Sequence, residues 1–511
     1  MSKKVLFYTL GCKVNQYETA AMEELFSAGN YEVVRGKQKS PADVVVINTC
    51  AVTAESVRKS RQIIRKLRAA NPKAILAVVG CFSKYSPEEA GTINGVDVVL
   101  GTDDRDEIVH AVERVASDRR NNNNDSTQAG HPRQAGNTRH TGHTSHPRQA
   151  GHIGHTRHTG HIGQKYMEFG VVPEMERTRA YVKIQDGCDN FCSFCIVPHI
   201  RGCSRSREED EVIGEARALI ERGYREIVLT GIQISSYSYK LDSLVLRLSR
   251  ISGIERLRLG SLEPTIITPD FVKNMKECEP ALCPHFHLSL QSGSSAVLKM
   301  MNRKYTPDEY LKSISLIRDS FPDASITTDI IVGFPGETEE EFSESFKFCE
   351  KVGFLKIHVF KYSAREGTPA AGYENQILPS VKERRSKNMI ALSDRMGKDF
   401  CEKYVGREVS IIVEKASVIG ERASVKGESA STIPERASSL SEHLPVIVCE
   451  GLTPNYMRVV AEVDGVGADK AEEFEGKMIE VLIKGYEGGV LKGVCSSFSN
   501  NLHSADLLIM R

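Results

Sequence analysis

A chain of 511 residues exceeds one ordinary core, so roughly two to four domains are expected. Lys+Arg and Asp+Glu both number 67, so net charge announces no nucleic-acid partner and any basic surface must be local. The opening apolar run is too short for a signal peptide, no stretch reaches about 18 apolar residues, and the cysteines are odd in number and grouped; a cytoplasmic chain with no membrane span is expected, its grouped cysteines binding metal rather than pairing as disulfides.

In chain order, "KVLFYTL", "DVVVINT", "AILAVVG" and "VDVVLG" read as buried parallel strands, with helices at 16–28, 54–70 and 104–116. Residues 1–116 are thus expected to form an α/β domain on a mostly parallel sheet. Residues 117–164 change character: Asn, Gly, Thr, His and Arg dominate, and "HPRQAG" occurs at 131 and again at 146. Such a segment buries too little surface to offset its ordering entropy and is expected to be a disordered linker. Its histidines offer a metal ion some ligands, but a passive spacer is the favoured reading.

Over 165–404, six strand-like runs alternate with helical segments: "AYVKIQDG", "EIVLTGI", "RLRLGSLEP", "HFHLSLQSG", "SITTDIIVGFPGE" and "KIHVFKYSA". This pattern predicts an incomplete (β/α) barrel, whose working residues would lie at the C-terminal ends of the strands. Those ends are polar here: Gln233, Ser261, Glu263, Gln291, Ser292 and the stretch Gly333 to Glu337. Residues 405–495 then give "REVSIIVEK", "PVIVCEGLT", "YMRVVAEV" and "KMIEVLIKGY", short strands with little helix, as in a small β-barrel. A Ser-rich insert repeating "ERAS" interrupts it at 415–445, and the tail 496–511 has no clear pattern.

Cysteines provide the chemical signal. "DGCDNFCSFCIVPHIRG" spaces Cys188, Cys192 and Cys195 as C-x3-C-x2-C in a loop behind a strand. Three thiolates there can hold three irons of a [4Fe-4S] cluster and leave the fourth iron open. Zinc is the alternative, with Cys203 or His199 as fourth ligand; structural zinc sites are closed by four protein ligands, and a loop at the mouth of a barrel favours the open cluster. Phe194, between two ligands, is placed to shield it. In the N-terminal unit Cys12, Cys50 and Cys81 each follow a strand. The ends of parallel strands share one edge, where such folds bind ligands, so the three thiols are expected to converge. Three separately buried cysteines are the alternative, and the threefold repetition of one placement argues against it.

The loop resembles the cluster motif of radical S-adenosylmethionine enzymes. The chain as a whole is similar to the methylthiotransferases, through "GC", "INTCAVT", "VGC", "GCDNFCSFCIVP", "RGCSRSR", "LSLQSGS", "MNRKYT" and "DIIVGFPGETEEEF". The resemblance implies an α/β methylthiotransferase domain, a radical S-adenosylmethionine barrel and a C-terminal TRAM-like barrel that binds RNA. It implies two [4Fe-4S] clusters, one on Cys12, Cys50 and Cys81 and one on Cys188, Cys192 and Cys195, the second chelating S-adenosylmethionine. Gln233, Ser261, Glu263, Gln291 and Ser292 are the candidates for holding S-adenosylmethionine, with a structural hydrogen bond as the alternative for each.

Branches of that family differ in substrate. "TLGCKVNQYET" and "LTGIQISSY" resemble the branch that methylthiolates carbon 2 of N6-threonylcarbamoyladenosine at position 37 of tRNA, beside the anticodon. The sister branches act on isopentenyladenosine in tRNA, where "GCQMN" is usual, or on an aspartate of a ribosomal protein. Gln233 stands where Asn is usual, and Cys203 where a charged residue is usual; Cys203 is read as an incidental thiol. Expected partners are the tRNA anticodon stem-loop, a low-potential electron donor and a sulfur source, with the enzyme a monomer. Arg201, Arg205 and Arg207 are candidates for tRNA phosphate, with a solvated basic loop as the alternative. Asp329 and the "GFPGE" turn are expected to shape the barrel rather than do chemistry.

Overall fold

The computed structural model of the chain describes residues 2–34, 41–128, 178–419, 446–463 and 468–497, with Tyr166 and Glu168. Its first unit runs β1 (Lys3–Thr9), α1 (Lys13–Ala28), β2 (Tyr31–Val34), β3 (Val44–Thr49), α2 (Ala54–Ala70), β4 (Ile75–Gly80), α3 (Cys81–Tyr85), α4 (Pro87–Thr92), β5 (Val98–Leu100) and α5 (Ile108–Gln128). The sheet order is β2-β1-β3-β4-β5, and every pairing is parallel. Every residue of β3 and β4 is buried, as expected of central strands covered by helices on both faces. Helix α2 shows the local logic: Thr53 caps its first turn by accepting from Ser56 N–H, and Val57, Ser60, Ile64 and Leu67 recur at helical spacing on its buried face.

Two boundaries differ from the sequence reading. Strand β2 is an addition, four residues too short to stand out as an apolar run. Helix α5 continues to Gln128, into the segment expected to be linker from 117. Arg119 explains part of this: its guanidinium reaches Asp97 Oδ1 at 2.6 Å and Lys73 O at 3.0 Å, tying the extension to the body of the domain. The rest of the His-rich segment lies outside the described residues.

The central unit begins with β6 (Arg179–Lys183), then β7 (Gln185–Asp186), α6 (Val197–Arg201) and β8 (Arg205–Ser206). It continues through α7 (Glu209–Glu221), β9 (Glu226–Thr230), α8 (Leu241–Ser249), β10 (Arg256–Leu259), β11 (Ser261–Leu262) and α9 (Pro269–Lys276). It ends with β12 (His285–Leu288), α10 (Ser295–Met300), α11 (Pro307–Ser320), β13 (Ser325–Val332), α12 (Glu339–Val352), β14 (Lys356–Lys361) and α13 (Pro379–Glu402). Parallel sheets β6-β9-β10 and β11-β12-β13-β14 are joined where β10 passes into β11 and by a bridge between Leu257 and Leu282. Among the described residues β6 and β14 do not pair, so the strands form an arc: the expected incomplete barrel. Helices α11 and α12 open with capping boxes, Thr306 with Glu309 and Thr338 with Glu341, which places "KYTPDE" and "GETEEE" at helix starts.

A closed barrel follows, with β15 (Glu408–Ile419), β16 (Val446–Leu452), β17 (Arg458–Val463), β18 (Met478–Glu487) and β19 (Val490–Ser497) in the order β15-β16-β17-β19-β18. The sequence reading missed β19. Strand β15 also runs to Ile419, inside the insert expected from 415, because Ile419 still pairs with Val446. The remainder of that insert, and the tail past Ser497, lie outside the described residues. This barrel docks at the N-terminal ends of the central strands. Arg256 Nη1 donates to Leu452 O at 2.8 Å, Arg258 Nη1 to Pro454 O at 2.8 Å, and the Tyr456 ring stacks on His285 with centroids 4.4 Å apart. No described helix is long and apolar enough to cross a membrane.

Candidate functional site

Strands β1, β3 and β4 are sheet neighbours and all parallel, so their C-terminal ends share one edge. Cys50 follows β3 directly, Cys81 follows β4 directly, and Cys12 caps α1 just past β1. Asn15 organises this edge from the first turn of α1. Its Nδ2 donates to Leu10 O at 2.7 Å and to Thr49 O at 3.0 Å, and its Oδ1 lies 3.9 Å from Cys12 Sγ and 4.0 Å from Cys81 Sγ. Cys12 is exposed, whereas Cys50 and Cys81 are buried. Burial pushes the Cys81 thiol up to about 11, with Cys50 and Cys12 adding to the rise and Arg201 and Arg105 opposing it.

Behind the thiols is a buried charge cluster. Glu18, fully buried, takes Arg201 Nη1 and Lys183 Nζ on Oε1 at 2.9 Å each, and Arg105 Nη2 on Oε2 at 2.9 Å. Asp186 takes Lys183 Nζ at 2.6 Å and Arg201 Nη1 at 3.0 Å, and Arg201 Nη2 donates to Asn15 Oδ1 at 2.9 Å. Burial alone would raise the Glu18 carboxyl; Arg105, Arg201 and Lys183 together hold it down at about 2. These groups come from α1, β6, β7 and α6, so the cluster joins the α/β domain to the barrel. Arg201 is therefore not a contact for RNA phosphate. Arg207 is buried as well, paired with Glu215 and with Glu168 at 2.9 Å, and Arg205 packs 3.7 Å from Asp186. The basic run "RGCSRSR" is scaffold, because each guanidinium meets a carboxylate: Arg201 that of Glu18, Arg205 that of Asp186, and Arg207 those of Glu215 and Glu168.

The barrel loop with Cys188, Cys192 and Cys195 follows β7 and is fastened by its backbone. Cys188 N–H donates to Gly202 O at 3.1 Å, Cys195 N–H to Cys192 O at 3.0 Å, and Ser193 Oγ–H to Met300 O at 2.8 Å. Arg303, buried behind the loop, donates from Nη1 to Cys192 Sγ at 3.2 Å, pairs through Nη2 with Glu263 Oε1 at 2.9 Å and reaches Tyr305 Oη at 3.0 Å. Sequence reasoning quoted "MNRKYT" without assigning Arg303; a basic residue inside a family motif was the available signal. Burial raises the thiols of Cys188 and Cys195, Cys195 to about 12. Gly187 turns into this loop at φ +71°, and a Cβ there would lie 1.9 Å from Cys203 O. Gly187→Ala is therefore expected to distort the loop and to remove about four irons per chain, while the irons of the other triad stay; anaerobic iron and sulfide analysis reads this directly.

Each triad offers three thiolates, the number that a [4Fe-4S] cluster with one open iron takes. One zinc with bonds of about 2.3 Å would hold its thiolates about 4 Å apart. Among the described residues neither cysteine triad draws its sulfurs within 4.8 Å of one another.

The five strand-end candidates separate. Glu263 Oε1 accepts from Asn190 Nδ2 at 2.7 Å as well as pairing with Arg303, so it braces the cluster loop. Gln291, at φ +70°, faces the same cavity as Cys195. Gln233 is buried beside β9, its N–H donating to Gln185 Oε1 at 2.7 Å, and Ser261 is exposed. Ser292 is fully buried, and its hydroxyl accepts from Ser294 N–H at 3.2 Å within its own turn. Glu337 closes the "GFPGE" turn, accepting from Gly333 N–H at 2.6 Å and Arg385 Nη1 at 2.7 Å.

One cavity is lined by residues of both cysteine-bearing units. About 200 Å³ in volume, it is bordered by Val52 and Thr53, just past Cys50, by Phe194 and Cys195 of the barrel loop, and by Gln291 and Phe360. Val52 is 49% exposed and Phe360 44%, apolar surface left open inside a cleft. On the strands beneath, His287, Asp329 and His358 bring three ligand atoms within 4.8 Å of one another.

A model of the radical SAM superfamily matches residues 182–349, and one of the uncharacterized protein family UPF0004 matches residues 4–101. The chain is 37% identical over 485 residues to the threonylcarbamoyladenosine tRNA methylthiotransferase MtaB of Bacillus subtilis, covering 94% of this chain and 93% of that one. It is 33% identical to the protein of the same name from Aquifex aeolicus, covering 80% and 92%. A tRNA-2-methylthio-N(6)-dimethylallyladenosine synthase from Acetivibrio thermocellus is 30% identical, covering 80% of this chain and 79% of that one.

Proposed function

The chain belongs to the methylthiotransferases of the radical S-adenosylmethionine superfamily, and we propose that it adds a methylthio group to carbon 2 of N6-threonylcarbamoyladenosine at position 37 of tRNA. The observation behind this is the shared cavity: the residues after Cys50 and those around Cys195 line one space. Substrate carbon and sulfur must meet there. The 37% identity over 94% of the chain to the Bacillus subtilis enzyme, against 30–34% over 80–81% to four dimethylallyladenosine synthases, favours the threonylcarbamoyl substrate over its sister.

Each group of residues has a distinct task in this reading. Cys188, Cys192 and Cys195 would hold one [4Fe-4S] cluster with an iron left open for S-adenosylmethionine, and Gln291, Gln233 and Ser261 are the candidates for holding that molecule. Cys12, Cys50 and Cys81 would hold a second [4Fe-4S] cluster, which would supply the site for the transferred sulfur. When bound, the barrel cluster and S-adenosylmethionine supply a one-electron route to a C–H bond that is neither acidic nor nucleophilic. Arg303 steadies the Cys192 thiolate by a charge-assisted hydrogen bond. Phe194 and Phe360 keep water from the reacting carbon. A low-potential electron donor and a sulfur source are required partners, and the small C-terminal barrel offers a surface to the anticodon stem-loop.

A deletion strain is expected to lose 2-methylthio-N6-threonylcarbamoyladenosine from its tRNA while keeping the unmethylthiolated nucleoside. Mass spectrometry of tRNA hydrolysates reads this. An unchanged level of that nucleoside, or loss of the dimethylallyl counterpart instead, would refute the assignment.

A further inference from the structure

The two tRNA substrates named among the relatives differ in one substituent on the adenine. A dimethylallyl group is wholly apolar. A threonylcarbamoyl group ends in a carboxylate and carries a hydroxyl and ureido N–H groups. Both hang from the six-membered ring that also bears the reacting carbon 2, so whichever is present lies within a few Å of the chemistry, on the order of one strand residue's rise.

The inner face of the barrel beneath the cavity is layered. On β13 and β14, Ile331 pairs with Phe360, and one step toward the N-terminal end of both strands Asp329 pairs with His358. Residues two apart on a strand share a face, so an apolar layer sits directly above a polar one. The neighbouring β12 adds His287 to the polar layer; its Nε2 lies 3.4 Å from Asp329 Oδ2 and its ring 5.8 Å from that of His358. Asp329 lines the cavity above, His358 is exposed in a second cavity with Thr327, Lys356 and Tyr456, and His287 is half-buried. The layer is also braced from behind. Thr327 Oγ1 bonds His287 Nδ1 at 3.0 Å and His285 Nε2 at 2.9 Å, which fixes the His287 ring and leaves its Nε2 pointing inward.

We infer that His287, Asp329 and His358 form the subsite that reads the threonylcarbamoyl tail, an inference that rests on the functional reading above. The adenine ring meets the apolar layer at Phe360. The tail descends one layer, where His358 and His287 donate to its carboxylate and Asp329 accepts from its hydroxyl or ureido N–H. Burial holds His358 below the ordinary histidine range, and Asp329 opposes this. An unpaired carboxylate or ureido group here would be costly, and so would this polar layer left facing an apolar tail; that asymmetry is what gives discrimination between substrates.

The test uses the cluster-loaded enzyme and three synthetic anticodon stem-loops, with threonylcarbamoyladenosine, its methyl ester or plain adenosine at the target position. The wild-type chain is expected to bind the free-acid stem-loop about tenfold or more tighter than the other two, the worth of a charge-assisted hydrogen bond. His358→Ala and His287→Ala are expected to abolish that preference, raising KM for the free acid with a smaller change in kcat. His358→Gln, which keeps a donor, is expected to recover part of it. Equal weakening toward all three RNAs, or a preference that survives both alanine variants, would overturn the inference. So would a preference that appears only with added zinc, which would assign the same residues to a metal ion. If the wild-type chain forms no methylthio product from the free-acid stem-loop, the functional reading fails along with it; if product forms and the preference does not move, only this inference fails.

Discussion

Cys12→Ala is expected to give a folded chain that holds about four irons instead of about eight, still cleaves S-adenosylmethionine, and makes no methylthio product. The expectation follows from where the thiol sits. Cys12 is exposed, and the 3.9 Å approach of its Sγ to Asn15 is too long to stabilise the fold. The Asn15 bonds to Leu10 and Thr49, which hold the sheet edge together, do not involve it. Removing one of three ligands should therefore cost the cluster and little else. The other triad lies on a loop whose fastening, through Gly202, Met300 and Arg303, is independent of the sheet. Anaerobic iron analysis, 5′-deoxyadenosine release and nucleoside analysis on one preparation separate these outcomes. If cleavage of S-adenosylmethionine vanished while the circular dichroism spectrum stayed native, the assignment of separate tasks to the two triads would be wrong.

The second large effect is expected at the junction of the α/β domain with the barrel. Glu18→Gln removes the only charge that Arg105, Arg201 and Lys183 all contact. Breaking a buried charge network by deleting one partner leaves uncompensated cations and costs about 3–5 kcal/mol. For a chain of this size a drop in melting temperature of about 3–5 °C is expected by calorimetry. The same carboxylate sets an acid limit. Its folded pKa is depressed to about 2, against about 4.3 unfolded. Its stabilisation is therefore present at neutral pH and is lost as pH falls from about 4.3 through about 2. The Glu18→Gln chain should show a shallower acid transition over that window. Because the network joins the two cysteine-bearing units, the variant should also release more 5′-deoxyadenosine per methylthio product. A melting temperature within about 1 °C of the parent would show that the cluster contributes specificity rather than stability, as some buried ion pairs do.

Much of the architecture was legible from periodicity. The six barrel runs, the sheet-edge placement of Cys12, Cys50 and Cys81, and the small terminal barrel each follow from apolar patterning plus the rule that parallel strands end on one side. What could not be read was pairing across distance. Arg201 and Arg207 look like a solvated basic loop until their carboxylates arrive from α1 and α7, and Arg303 acquires meaning only when its guanidinium meets Cys192. Strand β19 and the extension of α5 escaped because neither is strongly apolar; closure of a barrel and the Arg119–Asp97 pair define them instead.

The stretch "KVNQYET" is the instructive case. In sequence it marks a substrate branch. In space Asn15, Tyr17, Glu18 and Thr19 are all buried. Tyr17 bonds Glu215 at 3.2 Å, and Thr19 holds Thr9 at 2.8 Å and Asn48 at 3.1 Å. Asn15, Tyr17 and Glu18 thus fix how the sheet edge meets the barrel, through Arg201, Glu215 and Lys183, while Thr19 holds the edge itself.

The stacking of Tyr456 on His285 has a bearing on how such enzymes can be rebuilt. The turn at 452–456 supplies carbonyl acceptors to Arg256 and Arg258 and an aromatic backing to the strand that bears His287. The terminal barrel is thus not a bead that can be clipped off or exchanged between homologues at the end of α13. A chimera that takes a foreign barrel must bring a matching turn with it, or re-engineer two arginines and a histidine on the catalytic side of the graft.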